Sequence, residues 1–156
     1  MTKNLNLQKC GILQNKMAEI EKKYKKEYSS GKRKTAVARA IIKSGEGKVN
    51  FNGKGYKTLQ IFDKLKLEEP LRIAEKVLGK NNFDITVFVR GGGEKGQIDA
   101  ARLAIAKAIV KFTNSDELKK AFLDYDRNLL VADIRRKEAC KPGDSKARAK
   151  RQTSFR

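Results

Sequence analysis

Apolar and polar residues alternate most regularly over residues 83–90. A two-residue period is typical of a β-strand with one buried face. Beyond the glycines of residues 91–96 the period becomes helical, and small residues accompany the large apolar ones over residues 97–112. The pattern therefore predicts a strand, a glycine turn and a helix that lies close to a sheet. The residues predicted to face inward are Ile85, Val87 and Val89 in the strand, and Ile98, Ala101, Ala104, Ile105, Ala108, Ile109 and Phe112 in the helix.

The flanking patterns predict the remaining elements. Residues 35–43 and 48–51 are β-rich and are separated by a turn-forming stretch, which predicts a hairpin. Residues 56–79 predict two helical segments, with Pro70 in the first turn of the second and Gly79 at its C-cap. A short helix is expected over residues 116–124. For residues 1–28, apolar residues at helical spacing predict a helix that ends near Tyr28, with a solvated or disordered extension as the alternative, before a break at residues 29–31.

The glycine cluster raises the question of nucleotide binding. Gly91, Gly93 and Gly96 have the G-x-G-x-x-G spacing between a strand and a helix, where dinucleotides bind in some folds. That fold needs a second strand after the helix, whereas residues 113–117 read as a helix start. Gln97 also stands where a phosphate-binding loop requires lysine. A turn with close backbone approach is therefore the favoured interpretation, and a nucleotide-binding enzyme is the alternative.

Charge divides the chain into three parts. The formal net charge is +19, from 37 basic and 18 acidic residues. Residues 1–40 carry 11 basic and 3 acidic side chains, and residues 135–156 carry 9 and 2, so the middle is nearly balanced. We therefore predict a basic N-terminal extension over residues 1–28, a core over residues 29–134 and an extended basic tail over residues 135–156. Such a tail has too few apolar residues to fold alone.

Composition narrows the function classes. No apolar run approaches the roughly 20 residues that span a bilayer, so we expect no membrane partner. The chain has no histidine, and its two cysteines lack metal-ligand spacing, which argues against a zinc site and an imidazole base. We predict no catalytic residues, no metal and no cofactor. The N-terminus has no secretory signal pattern, and the expected location is the cytoplasm. Nucleic acid is the partner that rewards many Lys and Arg contacts.

Three motifs, in order and with family-like spacing, resemble the ninth protein of the small ribosomal subunit. They are Ser30-Gly31-Lys32-Arg33-Lys34-Thr35-Ala36-Val37-Ala38-Arg39-Ala40, then Val89-Arg90-Gly91-Gly92-Gly93 with Gly96-Gln97, and the C-terminal tail. The resemblance covers about residues 29–156. Details of residues 125–152, such as Lys146-Ala147-Arg148-Ala149-Lys150-Arg151-Gln152, are similar to the archaeal and eukaryotic branch.

The resemblance implies a fold and a set of partners. The fold would be an α/β (α+β) two-layer sandwich, similar to the second domain of the fifth small-subunit protein, with a left-handed βαβ crossover. The partners would be small-subunit ribosomal RNA in the subunit head, neighbouring head proteins and peptidyl-site transfer RNA, which the tail would reach. Phe155 stands where this branch more often has tyrosine, which removes a hydroxyl but keeps a ring for stacking.

The predicted binding residues combine the basic patches with the family motifs. Predicted contacts to ribosomal RNA are Lys32, Arg33, Lys34, Arg39, Arg90, Gly91, Gly92, Gly93, Lys95, Gln97, Arg102, Arg127, Arg135, Arg136, Lys137, Lys141, Lys146, Arg148, Lys150 and Arg151. The resemblance assigns transfer RNA to Ser154, Phe155 and Arg156. Most of these contacts should be to phosphates, which position without reading sequence. A free RNA chaperone or another basic nucleic-acid-binding protein is the remaining alternative.

Overall fold

The computed structural model describes residues 26–142 and 146–148, which form a five-stranded sheet with helices packed on one face. The strands are β1 (Lys26–Arg33), β2 (Ala36–Ser44), β3 (Val49–Phe51), β4 (Lys54–Gly55) and β5 (Phe83–Arg90). The helices are α1 (Ile61–Leu78), α2 (Glu94–Thr113) and α3 (Asp116–Tyr125), with short 3₁₀ turns at Tyr56–Thr58 and Arg127–Leu129. The expected α+β architecture is confirmed.

The sheet has the order β1-β2-β5-β3-β4. Strand β5 is the middle strand, antiparallel to β2 and parallel to β3. Helix α1 connects the parallel pair β3 and β5, so a βαβ crossover is present as expected, while its hand stays a prediction. Of the described helices, none is both long and apolar enough to cross a membrane.

The predicted hairpin of residues 35–51 is wrong, because β5 lies between β2 and β3. The connecting turn folds over the start of β5 instead. There the Asp84 carboxylate accepts hydrogen bonds from the backbone N–H groups of Glu46 (3.0 Å) and Lys48 (2.9 Å). The Gly45 N–H also donates to the Asn82 carbonyl at 3.2 Å. These bonds satisfy the turn without any pairing between β2 and β3.

The true hairpin joins β1 and β2, and the sequence pattern does not predict its first strand. The predicted break at residues 29–31 is wrong, because these residues lie inside β1, where Ser29 and Gly31 face α2. The buried Ser29 hydroxyl donates to the carbonyl of Ala104 at 2.9 Å. The helix expected to end near Tyr28 is also wrong for Lys26–Tyr28, which are extended; residues 1–25 of that segment lie outside the described residues.

Helix α1 is continuous, so the predicted division at Pro70 is wrong. Proline lacks the N–H of one intrahelical hydrogen bond, which normally favours a helix start. Here Pro70 is buried together with Leu67, Leu71 and Ala74, and this packing outweighs the missing bond. Gly79 ends the helix with φ 78° and donates its N–H to Glu75 O at 2.9 Å, as predicted.

Helix α2 lies across β1, β2 and β5 and forms the centre of the core. Its predicted inward-facing residues are buried, apart from Phe112, which is partly buried and packs edge-to-face on Phe83 with ring centroids 6.2 Å apart. Alanines such as Ala104 bring the helix close to the sheet. The predicted short helix is confirmed as α3, with Ser115 as its N-cap. Leu129, in the segment that follows α3, packs into the same core.

Candidate nucleic-acid interface

No described residue covers the sheet face opposite the helices over β1, β2 and β5, which we call the open face. Because side chains alternate along a strand, the register places four cross-strand rows on this face. Two large aromatic residues on it are well exposed, Tyr28 at 62% and Phe88 at 51%. The rows are Lys26, Lys43 and Asp84; Tyr28, Ile41 and Thr86; Ser30, Arg39 and Phe88; and Lys32, Val37 and Arg90.

The cations of this face are free of ion pairs within the described part of the chain. These cations are all exposed: Lys26, Lys32, Arg39, Lys43 and Arg90. The register places one described acidic residue on the face, Asp84, whose Oδ1 accepts hydrogen bonds from two backbone N–H groups. An anion approaching this face therefore meets positive charge with almost no competing carboxylate. Such a surface favours a polyanion.

Two other predicted contact residues are engaged within the protein. Arg33 forms ion pairs with Asp133 and, at 3.7 Å, with Asp99, and only 20% of its side chain is exposed. Arg102 pairs with Glu69 and, at 2.9 Å, with Asp126. A guanidinium that already has carboxylate partners offers fewer donors to a phosphate. The geometry thus gives both arginines a structural role, holding residues 126–133 against the core.

The glycine turn is shaped by a close approach to the β1–β2 turn. Gly91 and Gly92 have φ of 75° and 68°, a conformation that side chains disfavour. A Cβ on Gly92 would lie 2.9 Å from the Cβ of Ala36, and one on Gly91 would lie 2.8 Å from the carbonyl oxygen of Thr35. The Gln97 amide also donates to Gly91 O at 3.2 Å. The predicted close approach is therefore made to the protein's own backbone.

A groove of about 590 Å³ is lined by residues of the β1–β2 turn, the glycine turn and the start of α2. Lys34, with φ 53°, and Lys95 line it. Lys95 donates to both carboxylate oxygens of the buried Asp63, at 2.8 and 3.0 Å, although most of its side chain is exposed. A Cβ added at Gly93 would meet nothing within 4 Å, so this residue leaves the groove open. Lys34 is the predicted contact here without an ion pair among the described residues.

The basic tail leaves the core next to this groove. Asp133 binds the first tail residue, Arg135, through its backbone N–H at 2.7 Å and its guanidinium at 2.7 Å. Residues 134–142 are exposed, and Arg148 pairs with Glu138 at 2.9 Å. The predicted contacts Arg127, Arg136, Lys137, Lys141 and Lys146 are exposed as well. The remaining predicted contacts, Lys150, Arg151, Ser154, Phe155 and Arg156, lie outside the described residues.

Sequence reasoning missed four residues of the open face. Lys26 and Tyr28 fall in the predicted helix, although a pattern of alternate inward residues continuing from Ser29 and Gly31 could have revealed the strand. Lys43 belongs to a predicted strand but not to the predicted contacts. Phe88 is predicted to point away from the buried side of β5, yet the sequence does not connect it with binding, because its neighbour Arg39 comes from a distant part of the chain.

Fold and surface together define a basic α+β protein with an acid-poor, partly apolar open face. Comparison with known proteins agrees with this class. The family model described as "Ribosomal protein S9/S16" matches residues 31–156. The chain therefore belongs to the S9/S16 family of ribosomal proteins.

Curated relatives include small ribosomal subunit proteins uS9 of archaea, which agrees with the archaeal and eukaryotic branch predicted from residues 125–152. The protein of Methanococcus vannielii is 47% identical over 132 residues, which cover 83% of this chain and 97% of the relative. That of Thermoplasma volcanium is 48% identical over 130 residues, covering 82% and 96%. That of Thermoplasma acidophilum is 50% identical over 129 residues, covering 82% and 98%. The relatives are ribosomal proteins rather than enzymes.

Proposed function

We propose that this protein is a structural constituent of the small ribosomal subunit, where it binds small-subunit ribosomal RNA in the head. The observation that carries the proposal is the set of exposed cations on the open sheet face, which lack ion pairs among the described residues, in a chain of the S9/S16 family. Phosphate contacts by such side chains position a protein on RNA without requiring sequence readout. Neighbouring head proteins complete its surroundings, and its place of action is the cytoplasmic ribosome.

The contacts divide into three groups by position. Lys32, Arg39 and Arg90 act on the open face, and Lys34 and Lys95 act at the groove beside the glycine turn. The tail from residue 135 onward supplies the third group. Arg33 and Arg102 support these groups through their carboxylate partners rather than through phosphates. Binding should thus depend strongly on salt, because each phosphate contact releases counterions.

Gradient sedimentation of tagged full-length protein with small subunits tests the role on the ribosome. The variant Arg39→Gln with Arg90→Gln should co-migrate less after a moderate-salt wash, because two phosphate contacts are lost. The control Lys119→Gln with Lys120→Gln removes the same charge from exposed positions of α3. Equal retention of both variants would refute the open-face contacts. Loss of the unaltered protein to the top fractions would instead favour a free RNA chaperone.

We further propose that the tail tip contacts peptidyl-site transfer RNA. The family match extends to Arg156, and residues 134–142 at the start of the tail are exposed. Deletion of residues 154–156 should spare incorporation into subunits, because few phosphate contacts are lost. It should weaken transfer RNA at the peptidyl site in filter binding to purified subunits. Equal loss of incorporation and transfer RNA binding would show that the tip serves assembly instead.

A further inference from the structure

The open face combines aromatic rings with cations that have no ion pair among the described residues, and phosphate contact alone does not require the rings. Phe88 is 51% exposed on β5, the middle of five strands. Its direct cross-strand neighbour is Arg39, and Arg90 lies two residues further along the same face. An exposed phenyl ring in the centre of a sheet adds nothing to the core, which lies on the opposite face. A ligand that covers the Phe88 ring would therefore explain its exposure.

The groove over this face has the size and the lining for a flat ligand. It encloses about 940 Å³ and runs from Tyr28 and Ser30 across Val37 and Arg39 to Phe88. With strands about 4.8 Å apart and residues about 3.4 Å apart, the register separates Tyr28 from Phe88 by about 12 Å. The rings of Tyr28 and Phe88 therefore provide two stacking surfaces. Arg39 lies between them and Arg90 lies beside Phe88, so positive charge is available at both rings.

We infer that the open face binds an unpaired RNA segment, with one base stacked on Phe88 and adjacent phosphates held by Arg39, Arg90 and Lys32. Stacking on aromatic side chains is open to any base that is not buried in a duplex. A regular duplex would present phosphates and ribose to Phe88 and Val37 and gain little from either. A protein partner would need acidic side chains opposite several cations, whereas RNA supplies that charge in its backbone.

The inference rests on the proposed function and deepens it, since it specifies which part of the RNA the sheet face recognises. Its test compares the full-length protein and Phe88→Ala with two probes, oligouridylate and an RNA duplex of equal length. Phe62→Ala is the matched control, because Phe62 is 77% exposed and lies on α1 in the helical layer. The basic N-terminal extension and the basic tail should bind both probes through phosphates. The affinity for the duplex therefore measures their contribution to binding.

Phe88→Ala should weaken oligouridylate binding by roughly five- to a hundred-fold, with an unchanged salt dependence and an unchanged duplex affinity. Phe62→Ala should alter neither affinity. Equal affinities of Phe88→Ala and the unaltered protein for oligouridylate would overturn the inference. The same holds if Phe88→Ala loses incorporation into subunits while it binds oligouridylate normally, because the face then docks a protein.

A fluorescence measurement tests the stacking directly. The chain has no tryptophan, so Phe88→Trp introduces a single reporter that keeps an aromatic platform. Oligouridylate should quench this tryptophan and shield it from acrylamide, whereas Phe62→Trp should respond to neither. Similar responses of both reporters would overturn the inference. If the unaltered protein fails to co-sediment with small subunits, the proposed function is wrong. If it co-sediments normally but the fluorescence of Phe88→Trp does not respond to oligouridylate, only the stacking is wrong.

Discussion

The contact between β1 and α2 at Gly31 leads to the sharpest stability prediction. A Cβ on Gly31 would overlap the carbonyl oxygen of Ala100 and lie 2.8 Å from the backbone N of Ala104. Ordinary contact begins at 3.4 Å, so strand and helix would have to separate by at least about 0.6 Å. Both clashing groups belong to helix backbone, which cannot move aside as a flexible side chain would. Gly31→Ala should therefore be strongly destabilising.

The expected magnitude follows from two losses. Overpacking of this kind costs about 1–3 kcal/mol. Separation of the helix from β1 would also stretch the Ser29–Ala104 hydrogen bond, which contributes about 1 kcal/mol. The free energy of unfolding should thus fall by about 2–4 kcal/mol, a large part of the roughly 5–15 kcal/mol typical of a domain. Steric overlap of the added Cβ with α2 causes this loss of stability. The backbone conformation does not contribute, because the φ of Gly31 is not in the left-handed region.

Urea denaturation of the purified full-length protein, followed by far-UV circular dichroism, measures this loss. Gly55→Ala is the control, because Gly55 has φ −64° and nothing within 4 Å of an added Cβ. Its free energy of unfolding should stay within about 0.5 kcal/mol of the original value. Ser29→Ala isolates the hydrogen bond and should cost about 1 kcal/mol. A Gly31→Ala variant that loses less than Ser29→Ala would refute the close strand–helix contact.

Two further substitutions address the supports of the interface. Gly92→Val should lower the melting temperature by several degrees and reduce incorporation into subunits. A β-branched residue resists φ 68°, and its Cβ would crowd Ala36. An unchanged melting temperature would refute this prediction. Arg102→Met should lower the free energy of unfolding by about 2–4 kcal/mol in urea titration, because the carboxylates of Glu69 and Asp126 lose their shared partner. A double variant with Asp126→Asn whose loss equals the sum of the two single losses would contradict the pairing.

Local patterns predict local elements well, and the failures concern pairing between distant segments. The strand and helix flanking the glycine turn follow from periodicity alone, and Gly79 and Ser115 are recognisable as caps by residue type. The hairpin after β2 fails because Asp84, which holds the intervening turn, comes much later in the sequence. For the same reason, composition marks Arg33 as a phosphate contact, while its partner Asp133 is recognisable only in the folded chain.

The basic triplet of residues 32–34 shows how strand alternation assigns different roles to similar side chains. Lys32 lies on the open face, and Arg33 points to the helical side, where Asp133 binds it. Lys34 adopts φ 53° in the turn and borders the groove beside the glycine turn. Asp133 also holds Arg135, so the tail begins where the open face and the groove meet. The three cations thus lie close to all three proposed binding groups at one end of the sheet, and Asp133 links Arg33 to Arg135 at the start of the tail.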